Sequence, residues 1–153
     1  MSRGQGTLPS PLGPLRVISH DGQITDLRWG AGGEDMPAPE IDAALEQLTA
    51  YFEGRLTEFD LPLNVKASAF QRDVCDAMLA IPFGETRTYG DLARDLGAPA
   101  QAIGGACGGN PIPVIIPCHR VLGANGLGGY SGDGGIETKV WLLKHEGAGG
   151  LLI

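Results

Sequence analysis

The chain of 153 residues is short of cysteine, of positive charge and of long apolar runs, and each shortage excludes something. Its three cysteines, Cys75, Cys107 and Cys118, are odd in number, and no two stand in C-x-x-C spacing. That argues against a disulfide framework or a zinc knuckle and favours one thiol with its own task. Lys and Arg number 11 against 18 Asp and Glu, a net charge of −7. A generic nucleic-acid coat relies on cations, so the balance speaks against one, although a local groove stays open. No run approaches the ~20 apolar residues that span a bilayer. The start, "MSRGQGTLPSPLG", lacks the apolar stretch of a secretory signal, so the expectation is a cytoplasmic protein without membrane contact. No GxGxxG lies between a strand and a helix, and the glycine-rich 123–135 lacks the Lys-Ser/Thr of a phosphate loop.

What is present suffices for a folded core. Hydrophobic residues make up 42%, and 25 Gly with 11 Pro imply many turns. The first part reads as β then α. Runs at 14–20 and 23–29 flank Asp21-Gly22, a two-residue hairpin signal. After a Gly/Pro-rich loop at 30–39, Ile41, Leu45, Leu48 and Phe52 recur with helical period up to Gly54. Residues 55–66 read as an extended linker, which predicts domains at 1–65 and 66–153.

The second part reads as helical. Ser68 is a predicted N-cap for a helix with Phe70, Val74 and Met78 on its apolar face. Thr88 with Asp91 resembles a capping box, Leu92 and Leu96 would face inward, and Gly97 stops that helix. Pro99 opens another helix, which closes at Asn110-Pro111, so the pair has helix-turn-helix character. Gly104 and Gly105 within it cost roughly 1 kcal/mol each relative to Ala. They imply close approach of either a neighbouring element or a ligand backbone. A last helix over 136–147 would turn Ile136, Val140 and Leu143 inward.

Cys118 lies in "PVIIPCHRVLG". A free thiol with pKa near ~8.5 is only slightly ionised at neutral pH and needs a base or cation to become a nucleophile. His119 is adjacent and Arg120 adds charge, but on a strand neighbours face opposite sides, so His119 reaches Cys118 only at a bend or through water. Pro117 favours such a bend. Glu146 is the candidate to orient the imidazole. A buried structural thiol and a metal ligand are the competing readings, the latter without a fourth ligand.

"GNPIPVIIPCHRVLGANGLGGYSG", "TKVWLLKHEG" and the upstream "FQRDVCDAMLAIPFGETRTYGDLARDLG" closely resemble the O6-methylguanine-DNA methyltransferase family over roughly residues 68–147. The start, "PLGPLRVISHDGQITDLRWG", is similar to that family's N-terminal roll. The resemblance implies an α/β (α+β) protein: a small N-terminal hairpin-and-helix roll, then a helical domain with a helix-turn-helix and an active-site Cys loop. It implies DNA repair by stoichiometric transfer of the alkyl group of O6-alkylguanine to Cys118, without cofactor or metal. No Cys precedes residue 75, and His20 is the sole early His, so the zinc ligands of some relatives have no counterpart.

By the same resemblance His119 is a water-mediated base oriented by Glu146, and Asn110 is a hinge. Tyr89 donates to the extruded guanine, and the carbonyls of Cys118 and Val121 accept from its amino group. Pro113 packs near the alkyl group, and Tyr130 and Ser131 line the pocket loop. Thr88, Tyr89, Ala100, Gln101, Gly104 and Gly105 meet double-stranded DNA through the minor groove, with the lesion flipped out and the protein a monomer. The chain departs from the family pattern at Gln101, where an Arg finger is usual, at Gly108, where a basic residue is frequent, and at Cys75, where Trp is usual. The first two imply weaker duplex binding. The alternative is a non-catalytic damage sensor that recruits repair factors; such sensors replace the cysteine. A cysteine hydrolase with a Cys-His-Glu triad is a third reading.

Overall fold

The computed structural model describes residues 2–124, 126–129 and 134–148. They fall into two compact units, dividing between Lys66 and Ala67.

In the first unit β1 (Arg3–Leu8), β2 (Leu15–His20) and β3 (Gln23–Trp29) form an antiparallel sheet in the order β1-β2-β3. The expected hairpin joins β2 to β3. Asp21 and Gly22 adopt φ of 50° and 85°, the left-handed pair that a tight two-residue turn requires. Strand β1 has no counterpart in the sequence reading, because "RGQGTL" carries two glycines. Their purpose is close approach of α1 (Pro39–Phe52): a Cβ on Gly4 or Gly6 would meet Ile41 at 2.8 Å. The buried stripe of α1 is Ile41, Ala44, Leu48 and Tyr51, whereas the expected Leu45 and Phe52 are only half-buried. The helix is rotated so that Tyr51 lies inside against Phe52 and Phe59, at 5.2 and 5.3 Å between ring centres. The expected linker also docks: Ile24 N–H donates to the Pro62 carbonyl at 2.7 Å, and Asn64 N–H to that of Ile24 at 2.9 Å. Residues 62–64 thus cover an edge of the sheet rather than hang free.

The second unit contains α2 (Ala69–Leu79), β4 (Arg87–Thr88), α3 (Tyr89–Leu96), α4 (Ala100–Gly108), one 3-10 turn at Cys118–Arg120, β5 (Val121–Leu122) and α5 (Ile136–His145). Ser68 caps α2 by accepting from Gln71 N–H at 3.1 Å. Its buried side chains are Val74, Cys75 and Met78, while Phe70 is 36% exposed, contrary to expectation. Phe70 lies in the first turn of α2, just after the Ser68 cap, whereas the buried stripe begins one turn later. Thr88 and Asp91 close a full capping box on α3, and Gly97 ends it at φ 64°. Leu92 is buried, Leu96 half-buried. Gln71 ties α4 to α2 through the Ala106 carbonyl at 2.7 Å.

The two-residue strands β4 and β5 pair in parallel, Arg87 with Val121 and Thr88 with Leu122. This clip holds the start of α3 beside the segment that follows Cys118. On α5 the buried residues are Thr138, Lys139, Leu142 and Leu143. Leu143 is buried as expected, but Ile136 is 41% exposed and Val140 half-buried, so the inward face is rotated from the expected one. The stripe has turned to bury Lys139, for a reason that lies in the site. No helix among the described residues is long and apolar enough to cross a membrane.

Candidate active site

Cys118 is delivered by a tightly braced loop. All nine residues from Ile112 to Arg120 are buried, yet they form no strand. The Ile116 N–H donates to the Ile112 carbonyl at 2.9 Å, with Val114 at φ 72° inside that turn. Left-handed backbone at a β-branched residue costs of order 1–3 kcal/mol and persists only where surroundings hold it. Asn110 provides the hold. Its Nδ2 donates to the Ile116 carbonyl at 2.9 Å, and its Oδ1 accepts from Ile112 N–H at 3.0 Å. Pro113 is buried in the same turn and bridges to Ile116. The chain then bends at Pro117 into the 3-10 turn, so Cys118 and His119 do not alternate as they would on a strand.

His119 is fully buried, and its Nε2 lies 2.7 Å from Glu146 Oε2. A carboxylate at Nε2 assigns the ring proton to that nitrogen and leaves Nδ1 as an acceptor. Nδ1 is buried with no protein partner among the described residues. Burial pushes the imidazole pKa down, against the opposing pull of Glu146, so the ring is neutral near pH 7 and Nδ1 keeps its lone pair. Arg120 closes the network: Nε donates to Glu146 Oε1 at 2.8 Å, one terminal nitrogen to Oε2 at 3.0 Å and the other to the Ile81 carbonyl at 2.6 Å. Burial pushes the Glu146 carboxyl up, but the hydrogen bonds from His119 and Arg120 outweigh it and hold the pKa at about 2. Arg120 is therefore a structural counter-charge for Glu146 rather than a neighbour of the thiol.

Burial raises the Cys118 thiol above its ordinary value, opposed by a hydrogen bond from Asn110 and by the Lys139 charge. Tyr89, the first residue of α3, is half-buried, and burial raises its phenol, which keeps it a proton donor. Gly128, at φ 71°, closes the glycine-rich loop over that ring; a Cβ there would meet Tyr89 Cε2 at 2.9 Å. Val121 is buried beside Arg87 in the clip, and its carbonyl accepts from Lys139 Nζ at 2.7 Å. Tyr130 and Ser131 lie outside the described residues.

The helix pair is built differently. Thr88 is occupied as the α3 cap, Ala100 and Gln101 are exposed in the first turn of α4, Gly104 is half-buried and Gly105 exposed. A Cβ on either glycine would meet nothing within 4 Å, so none of the described elements packs there. Of the two sequence readings, close packing by a neighbouring element falls away. Arg87 and Arg94 are engaged with acids of their own helix pair: Arg87 to Asp95 and Arg94 to Asp91, both at 2.7 Å. Among the described residues, no cluster of three His, Cys, Asp or Glu has the arrangement of a metal site.

Lys139 is the site residue that the sequence reading missed. A signal existed: it precedes Glu146 by seven residues, two helical turns, so both share one face of the last helix.

The model of the 6-O-methylguanine DNA methyltransferase DNA-binding domain matches residues 69–148, and that of the same family's ribonuclease-like domain matches 5–65. The chain belongs to the 6-O-methylguanine DNA methyltransferase family. It is 46% identical over 150 residues to a methylated-DNA–protein-cysteine methyltransferase of Mycobacterium tuberculosis, covering 92% of this chain and 90% of that protein. A crystal structure of the Mycobacterium tuberculosis O6-methylguanine methyltransferase superposes with TM-score 0.84 at 43% identity, over 99% of this chain and 97% of that one. Another, of the Mycobacterium tuberculosis OGT in complex with DNA, gives TM-score 0.83 at 46% identity, over 94% and 92%. The mixed α+β architecture of the family is the one described above, and like its relatives this member carries a DNA-binding domain.

Proposed function

We propose that this family member repairs DNA by moving the alkyl group of O6-alkylguanine to Sγ of Cys118, once per molecule. The observation that carries the reading is the buried His119–Glu146 pair, one residue from the thiol, with imidazole Nδ1 left as a free acceptor. A water between Sγ and Nδ1 relays the thiol proton to His119, and Glu146 stabilises the imidazolium. The thiolate attacks the alkyl carbon, the S–C bond forms as the C–O6 bond breaks, and the electron pair stays on guanine. Tyr89 supplies a proton to the leaving base and is reprotonated from the imidazolium through solvent. In the net reaction the thiol proton ends on guanine, and no electrons are gained or lost. The thioether is stable, which is why no second turnover follows.

The reacting atom is inaccessible inside a duplex, so the nucleotide must be extruded, at a cost of a few kcal/mol. The open, small-residue surface of α4 around Gly104 and Gly105 suits insertion into the minor groove, with Gln101 filling the gap left by the base. The carbonyls of Cys118 and Val121 face the guanine amino group, and Pro113 flanks the alkyl substituent. The protein acts as a monomer.

Incubation with an oligonucleotide carrying O6-methylguanine, followed by peptide mass spectrometry, tests the reading. The expected result is a gain of one methyl group on the Cys118 peptide alone. An unmodified Cys118 in folded protein that still binds the oligonucleotide would move the reading to the damage sensor, for which the uncharged α4 is the only supporting observation.

A further inference from the structure

Helix α4 carries the surface proposed for DNA contact, yet it lacks the devices by which a short helix holds itself together. Its nine residues fall below the roughly 12–15 at which an isolated helix becomes even marginal. Gly104, Gly105 and Gly108 are all poorer helix formers than alanine. Pro99, at the N-cap, makes no side-chain hydrogen bond, and neither end turn bears a charge that would answer the helix dipole. The C-cap, Gly109, has φ of −89° and so lacks the left-handed cap that closes α3 at Gly97. Support comes instead from α2. Gln71 and Met78 stand two turns apart on one stripe of α2, and both meet the last turn of α4. Gln71 Nε2 donates to the Ala106 carbonyl at 2.7 Å, and the Cys107 thiol lies 3.6 Å from Met78 Sδ. The Ala106 carbonyl also accepts from Gly109 N–H at 3.2 Å, and a Cβ on Gly109 would meet Gln71 Oε1 at 3.2 Å. One amide thus touches both the last turn of α4 and its cap. The next residue is Asn110, the brace of the Cys118 turn.

We infer that Gln71 is a positioning residue for repair of duplex DNA, its amide clasping the C-terminal end of α4 so that the helix holds its place while the lesion is extruded. The inference rests on the reading of α4 as the element that enters the groove. Extruding a nucleotide is costly, and the work is done against whatever holds the inserted helix. A helix that frays or slides relaxes instead of forcing the base out. Built of glycine and small residues, α4 resists poorly by itself, so a tether from a neighbouring helix sets its stiffness. The last carbonyls of a helix have no partner within it, and the Gln71 amide supplies a neutral donor to one of them. The thiol does not need that clasp, because Asn110 braces the Cys118 turn through Ile112 and Ile116. Loss of the Gln71 donor therefore weakens repair of duplex and spares the reactivity of Cys118.

The test compares full-length wild type with Gln71→Met, which keeps the length and removes the donor, and Gln71→Asn, which keeps the amide one methylene short. Each is checked by thermal melting. Amide hydrogen exchange is followed in peptides spanning residues 100–110. Modification of the Cys118 peptide is followed with iodoacetamide and with O6-methylguanine oligonucleotides, single-stranded and duplex. In both variants exchange in α4 should quicken about tenfold. Methyl transfer from subsaturating duplex should fall about fivefold to tenfold, and from single strands less, while the iodoacetamide rate stays within about twofold of wild type. Unchanged exchange in α4 overturns the inference even if duplex repair falls, because Gln71 would then act by touching DNA itself. An equal loss with iodoacetamide and duplex overturns it as well, by placing the effect at the thiol. Failure of both variants to fold also overturns it, by reserving Gln71 for the fold alone. Failure of the proposed repair activity is recognised separately: wild type would take no methyl from either oligonucleotide, while exchange still reports whether Gln71 holds α4.

Discussion

The turn that carries Cys118 and the helix pair α3–α4 belong to one unit and handle charge in opposite ways. Around the thiol, His119, Arg120, Lys139 and Glu146 are all buried, and each is held by a hydrogen bond to a group from another element. On the helix pair, α4 has no charged residue, and the two arginines of the α3 segment spend their charge on Asp91 and Asp95 at the surface. Exposed pairs contribute about 0–1 kcal/mol and are easily exchanged for a phosphate. Buried ones cost several kcal/mol when broken from one side. The charges beside Cys118 are therefore fixed by folding, whereas the helix pair proposed above for DNA contact offers neutral groups on α4 and exchangeable surface pairs on α3.

That contrast is most severely tested at Glu146. Glu146→Gln leaves Arg120 buried without its counter-charge, and we expect a loss of about 3–5 kcal/mol, read by denaturant unfolding, together with slow methyl transfer. The same carboxylate has a pH signature. Its pKa in the fold lies below its unfolded value, so its contribution is complete above about pH 5 and is lost as pH falls towards 2. Wild type should lose stability across that window, and the Gln variant should show a flatter profile; equal slopes would detach Glu146 from the fold's charge balance.

A smaller effect is expected at Asn110. Asn110→Ala orphans the Ile116 carbonyl and the Ile112 N–H beside the left-handed Val114, at about 1–3 kcal/mol for each buried group. Stability and transfer rate should fall together, because the same turn positions Cys118. A stable but slow variant would assign Asn110 to the chemistry instead of the loop.

The smallest change, and the one that sharpens the other half of the comparison, is Gln101→Arg. It should tighten duplex binding several-fold, steepen the slope of log affinity against log salt by about 0.9, and speed repair of duplex more than of single strands. An unaltered salt slope would place the gap-filling contact elsewhere.

Much of the scaffold was legible because its signals are local. Asp21-Gly22, Ser68, the Thr88–Asp91 box and Gly97 act on backbone groups within a few residues, and the structure uses each as expected. Signals that depend on a partner element misled. Gly4 and Gly6 read as interruptions until α1 is seen lying against them, and Phe70 and Ile136 read as core until their helices are rotated by what they pack on. In the site, Cys118, His119 and Glu146 could be named from the motif, but no local signal singled out Lys139. Its partners lie 18 and 10 residues away.

Residue types and local spacing thus decided the hairpin, the helix caps and the placing of a thiol beside an imidazole, since those interactions close over a few bonds. Only tertiary packing decided that His119 Nδ1 would be buried without a partner among the described residues, that Arg120 would serve Glu146 and that Lys139 would be buried. Each of those depends on desolvation and on dipoles brought in from distant segments. The charge around Cys118 is a property of the assembled core.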